Sequence, residues 1–133
     1  MNTIKVTPTT ASKIDSIDFK NLGFGTVFSD HMLVCDYKNG IWGTPEIVPF
    51  QPISLMPSAK IFHYGQSIFE GMKAYKDVDK KTWLFRPDEN FKRFNISAKR
   101  LSIPELPEAV FMEGLKALLK VDEQWIPTQD GSS

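Results

Sequence analysis

The stretch His63-Tyr64-Gly65-Gln66-Ser67-Ile68-Phe69-Glu70-Gly71 is the densest polar and aromatic cluster in the chain. Tyr64 can place a hydroxyl beside a bound ligand, and Phe69 can wall an apolar pocket. The same residues also suit a strand-to-turn junction, with aromatics in the core and glycines shaping the backbone. His63 suits a structural hydrogen bond better than proton transfer. Glu70 is an acid or base by type, but its place in a helical turn favours a structural role. Further along, Arg93 carries a guanidinium able to hold a phosphate through two parallel hydrogen bonds. It can equally be a surface residue paired with Glu89, four positions earlier on one helix. Phe24 and Phe28 flank Thr26 symmetrically. In a strand they share a face, which lines either a substrate pocket or the domain core.

The familiar catalytic motifs are absent, which favours an incomplete site or a noncatalytic domain. The chain has no glycine-rich dinucleotide fingerprint and no Walker-type phosphate loop. It also lacks a serine-hydrolase elbow, a Cys-x-x-Cys pair and a metalloprotease helix. Lys plus Arg and Asp plus Glu number 16 each, which leaves no basic surplus for nucleic acid. No run approaches the roughly 20 apolar residues of a membrane span, and the N-terminus does not read as a signal peptide. Cys35 is the only cysteine, so an internal disulfide is impossible and a reducing, cytoplasmic setting is the simplest fit. His31 and His63 form no zinc motif with it, so no metal site is expected.

The elements that must position these residues follow from composition and period. The 133 residues fit one domain, with 41% hydrophobic and 24% charged residues. Residues 1–20 are polar and rich in Thr and Ser, and read as a flexible arm ahead of a domain over 21–133. Leu22 to Tyr37 predicts a hairpin, with arms Phe24–Phe28 and Met32–Tyr37 around a turn at Ser29-Asp30-His31. Asn39-Gly40 is a turn signal and Gly43-Thr44-Pro45 a second break. Glu46 to Met56 holds Pro49 and Pro52, and Pro57 follows at once, so an edge strand or extended connector is expected. A short helical turn is expected around Ser67-Ile68-Phe69. Met72–Tyr75 and Thr82–Phe85 predict a second hairpin.

Pro87 marks a helix start, with Asp88 and Glu89 in the first turn and Lys99 and Arg100 near the end. Phe91, Phe94, Ala98 and Leu101 form its apolar face. After Pro104 and Pro107, Glu108 to about Val121 predicts a second helix. Its buried stripe is Val110, Phe111, Leu115, Leu118 and Leu119, and Gly114 permits a close contact. Antiparallel hairpins followed by two packed helices give an α+β (mixed α/β) class.

Three long motifs resemble the branched-chain amino acid aminotransferases, members of the fold-type IV pyridoxal-phosphate enzymes. They are Phe24-Gly25-Thr26-Val27-Phe28-Ser29-Asp30-His31-Met32, then His63-Tyr64-Gly65-Gln66-Ser67-Ile68-Phe69-Glu70-Gly71-Met72-Lys73-Ala74-Tyr75, and Leu84-Phe85-Arg86-Pro87-Asp88-Glu89-Asn90-Phe91-Lys92-Arg93 with Ser97-Ala98-Lys99-Arg100-Leu101. The resemblance runs from about Leu22 to Ser133. It implies the small N-terminal domain of that fold. By resemblance Arg93 grips the cofactor phosphate, Tyr64 lies beside the cofactor and the substrate carboxylate, and Phe69 and Phe24 surround the substrate side chain.

The resemblance further implies pyridoxal 5'-phosphate as cofactor of the full-length enzyme. Its substrates would be leucine, isoleucine or valine with 2-oxoglutarate, and its assembly a homodimer. The family's cofactor-binding lysine belongs to a C-terminal domain, and none of Lys73, Lys92 or Lys99 matches it. The expectation is therefore a truncated or proteolytic piece that lacks that domain, supplies no catalytic residue, does not hold the cofactor covalently and is inactive alone. Such a piece would expose an apolar face that its missing domain covers. The alternative is a noncatalytic small-molecule-binding or dimerisation module of the same fold.

Overall fold

A computed structural model describes residues 4–23 and 25–129. Ile47 is completely buried in the central strand of a three-stranded sheet. The strands are β1 (Lys5–Val6), β2 (His31–Val34) and β5 (Glu46–Pro49), in the order β1-β5-β2. β1 runs parallel to β5. β2 runs antiparallel to it, with Met32 opposite Val48 and Leu33 opposite Ile47.

Of the edge strand or extended connector expected over 46–56, residues 50–56 form the connector, and the edge position is corrected for Glu46–Pro49, which lie in the central strand. Only Pro49 of its prolines lies in the strand, and it is the last residue, where a missing N–H costs little. The hairpin expected over 22–37 is likewise corrected, because β2 takes β5 as partner across sequence. The proposed first arm turns instead. Gly25 has φ +69, and the Thr26 N–H donates to Gly23 O.

The Asn39-Gly40 signal is borne out. It joins β3 (Tyr37–Lys38) to β4 (Ile41–Trp42), with φ +53 and +81 at the two turn residues. Positive φ at both positions matches the twist of a two-residue hairpin. The second expected hairpin also forms, as β6 (Ala74–Lys76) and β7 (Thr82–Leu84).

The helical turn expected at 67–69 is found earlier, as α1 (Lys60–Tyr64). Gly65, at φ +58, caps it in the left-handed region and donates its N–H to Lys60 O, so the helix cannot run on. α2 spans Pro87–Arg100 and α3 spans Glu108–Val121, each within the expected bounds. The Phe91 and Phe94 rings lie 5.5 and 6.0 Å from Phe111 and join the two helices. Ala98 of the same face is completely buried. Asn95 clamps the Pro104–Pro107 connector by donating to Leu106 O and accepting from Leu106 N–H, at 2.9 and 2.8 Å.

α3 lies against β2 and β5, with α2 on α3, so sheet and helices stack as layers. Buried Gly114 permits the close approach, for a Cβ there would fall 2.5 Å from Leu33 Cδ2. Residues 4–20, in the stretch expected as a loose arm, make defined contacts. Thr9 N–H donates to His31 Nε2 at 2.9 Å, and Ser12 Oγ and Lys13 N–H donate to the Asp30 carboxylate at 2.5 and 3.1 Å.

Candidate functional site

Glu70 is carried by the extended segment between α1 and β6, and Asn90 and Arg93 by the first half of α2. Three residues apart on a helix, Asn90 and Arg93 present their side chains on one side. Both meet Glu70. Arg93 Nε donates to Glu70 Oε2 at 2.7 Å, and Arg93 Nη2 donates to Oε1. Asn90 Nδ2 donates to the same Oε1 at 2.9 Å and to Gly71 O at 3.1 Å. The Gly71 N–H completes the set at 3.1 Å from Oε1.

The Glu70 side chain is 5% exposed, whereas that of Arg93 is 66% exposed. The Arg93 hydrogen bonds hold the Glu70 carboxyl at about 2, from an ordinary 4.5, and Asn90 assists against the opposing effect of burial. Arg93 is raised in turn by its hydrogen bond to Glu70 and by that carboxylate's charge. The expected Arg93–Glu89 pairing is corrected: Glu89 holds Lys92 at 2.8 Å and reaches Arg86 at 3.8 Å. A carboxylate 23 residues away, itself fixed by Asn90, offers Arg93 the better-ordered partner.

Arg93 lines a cavity of about 370 Å³ together with Asn90, Lys73, Tyr75, Phe85 and Arg86. Lys73, Arg86 and Arg93 bring three cations to the lining, and Glu89 brings one carboxylate, which reaches Arg86 at 3.8 Å. Arg86 has φ +49 and directly precedes Pro87, so the turn into α2 occurs at the cavity edge. The lining does not include Tyr64 or Phe69. These two side chains are instead 83% and 88% exposed, on either side of the Gly65–Ile68 segment. Phe24 lies outside the described residues. Phe28, expected on a shared strand face with it, stacks on Phe50 at 4.8 Å.

An apolar surface accompanies them. Phe50, Ile53, Leu55, Met56, Ile61 and Phe62 are all exposed, in the stretch that leads to Tyr64. His63 acts structurally, as expected, with its Nε2 donating to Pro57 O at 2.8 Å. Burial and then the Asp36 charge push the Cys35 thiol above its ordinary value.

The chain is 47% identical to branched-chain-amino-acid transaminase 1 of Bacillus subtilis over 117 residues, which is 87% of this chain and 33% of that protein. It is 46% identical to branched-chain-amino-acid aminotransferase 2 of the same organism over 125 residues, 93% of this chain and 34% of the relative. The branched-chain-amino-acid aminotransferase of Mycolicibacterium smegmatis is 47% identical over the same number of residues, 125, with the same shares of 93% and 34%. The chain is a relative of the branched-chain-amino-acid aminotransferases. It spans about one third of the length of the curated relatives it matches. No family model matches it.

Within this branched-chain aminotransferase relative, sequence reasoning missed two constellations. The first is Glu70 as the partner of Arg93. The i,i+4 rule points to Glu89, and nothing local announces a carboxylate from another segment. The second is the buried pair of His31 and Asp122, 8% and 7% exposed. Asp122 accepts from the His31 N–H at 3.0 Å and lies 2.6 Å from Nδ1. Since a backbone N–H can only donate, Nε2 accepts from Thr9 and the ring proton sits on Nδ1. Both nitrogens of His31 are thereby committed to structural bonds. No helix among the described residues is long and apolar enough to cross a membrane.

Proposed function

We propose that these residues are part of a pyridoxal-phosphate-dependent branched-chain aminotransferase that moves the amino group of leucine, isoleucine or valine to 2-oxoglutarate. The observation that carries this is identity of 46–47% across 87–93% of the chain to proteins of that name. The residues also fit the phosphate end of the cofactor. Arg93 is largely exposed while one edge is held by Glu70, and it lines a cavity whose other charged lining residues are Lys73, Arg86 and Glu89.

When bound, pyridoxal phosphate supplies the electron sink for chemistry at the amino acid's α-carbon. Arg93 binds the phosphate through the guanidinium edge that Glu70 leaves open. Tyr64 offers its hydroxyl to the substrate carboxylate. Phe69 and Phe24 give the branched side chain an apolar wall. The cofactor-binding lysine and the acidic partner of the ring nitrogen belong, in this reading, to the part of the relatives' length that the chain does not span. Residues 1–133 alone then bind an anion without transferring amino groups. The exposed apolar side chains between Phe50 and Phe69 support a surface that further protein covers. The same reading carries residues 21–133 as a small domain behind an N-terminal arm, a homodimer, and a cytoplasmic setting.

The test uses the protein encoded by the complete reading frame that contains these residues. With the cofactor, each branched-chain amino acid and 2-oxoglutarate, it is expected to form glutamate and the matching branched 2-oxo acid. Absence of glutamate with all three amino acids would overturn the proposal.

A further inference from the structure

A guanidinium presents paired N–H donors along two edges, Nε with Nη2 and Nη1 with Nη2. Arg93 gives the first edge to Glu70, through Nε to Oε2 and Nη2 to Oε1. Glu70 is not held by Arg93 alone. Its Oε1 also accepts from Asn90 Nδ2 and from the Gly71 N–H, at 2.9 and 3.1 Å. Asn90 is fixed in turn by its second bond, to Gly71 O at 3.1 Å. The carboxylate is thus tied both to α2 and to its own backbone, with a side chain 5% exposed, while the Arg93 side chain is 66% exposed. The arrangement is a buried anchor with an exposed working end.

We propose that Glu70 is a positioning residue for Arg93: it takes the Nε–Nη2 edge, fixes the plane of the guanidinium, and leaves the Nη1–Nη2 edge for a phosphate. This rests on Arg93 as the anion anchor. Charge alone argues the other way, because a carboxylate beside the arginine repels an incoming anion. For a variant that keeps the charge and loses the reach, charge predicts unchanged phosphate affinity and positioning predicts a weaker one. Glu70→Asp is that variant.

The probe is inorganic phosphate, titrated into the cofactor-free protein encoded by the complete reading frame and followed at the Arg93 Nε–H resonance by NMR. That resonance reports guanidinium order, and the phosphate Kd is the readout that a merely structural role for Glu70 would leave alone. In the wild-type protein the resonance is expected to be distinct and to move on phosphate addition. Glu70→Asp is expected to broaden it and to raise the phosphate Kd roughly two- to tenfold, the cost of ordering one long side chain on binding. Asn90→Leu keeps both charges and removes one tie to Glu70, and it is expected to raise the Kd roughly twofold. It carries the test if Glu70→Asp does not fold. Arg93→Lys is expected to weaken binding well beyond either, because an ammonium cannot serve carboxylate and phosphate on separate edges.

The two ideas fail separately. Unchanged or tighter binding in Glu70→Asp and Asn90→Leu, with weakened binding in Arg93→Lys, overturns the role of Glu70 only. Unchanged binding in Arg93→Lys, or no phosphate response in the wild-type protein, overturns Arg93 as the anchor and the role of Glu70 with it.

Discussion

Asp122, the residue that follows α3, grips His31, the first residue of β2, at both its backbone N–H and its ring, across 91 residues of sequence. The two contacts fix where the sheet meets the end of the helix. Thr9 closes the other side of the ring, so three segments converge on one imidazole.

Asp122→Asn keeps the volume but presents one oxygen to two donors, leaving one donor opposite an amide NH2. It should cost roughly 1–3 kcal/mol of stability, the cost of a buried donor left without a partner. A lowered urea midpoint at unchanged m-value is the expected result. Long-range proton–nitrogen NMR of the His31 ring should place its proton on Nδ1. A proton on Nε2 would contradict the Thr9 contact.

At Gly114 two effects oppose each other. Alanine improves helix propensity by about 1 kcal/mol, but its Cβ would lie 2.5 Å from Leu33 Cδ2. Overpacking of that kind costs about 1–3 kcal/mol, so Gly114→Ala should be neutral to destabilising. In a Leu33→Ala background the clash is gone, and Gly114→Ala should then stabilise by up to about 1 kcal/mol. A double-mutant cycle from denaturant melts measures this. Equal effects in both backgrounds would mean that the helix and β2 do not approach as described.

The acid side of the stability profile should carry a signature of Glu70. Its carboxyl sits at about 2 when folded, against an ordinary 4.5. As acid is added the unfolded chain takes up the proton first. The contribution is therefore complete above about 4.5 and is lost as pH falls toward 2. Asp30 adds a share of the same sign. Burial raises it, but hydrogen bonds from Ser12, Lys13 and Trp125 outweigh that and leave it lowered. Thermal midpoints of the wild type and Glu70→Gln should converge as pH falls through this window. A separation that stays constant with pH would count against the ionised pair.

Three local signals in the sequence match the structure. Pro87 with its acidic first turn gives α2, the apolar period gives α3, and Asn39-Gly40 gives the β3–β4 turn, because each is decided by neighbouring residues. Pairing across distance was not legible. His31–Val34 looked like the return arm of a hairpin, and only the fold shows that Glu46–Pro49 is its partner. The prolines near that partner suggested an edge, although only one lies in the strand. Around the site, Arg93 stood out by residue type, but Glu70 and Asn90 acquire meaning only when α2 is laid beside the segment after α1. Tyr64 and Phe69 keep their expected segment yet do not line the cavity of Arg93.

The central claim is that Arg93 anchors the phosphate of the cofactor. The most direct measurement is the equilibrium Kd for pyridoxal phosphate of the protein from the complete reading frame, with and without Arg93→Ala. Loss of charge-assisted hydrogen bonds worth about 1.5–3 kcal/mol predicts a Kd raised roughly 10- to 100-fold. An affinity unchanged by Arg93→Ala in a folded protein would contradict the account.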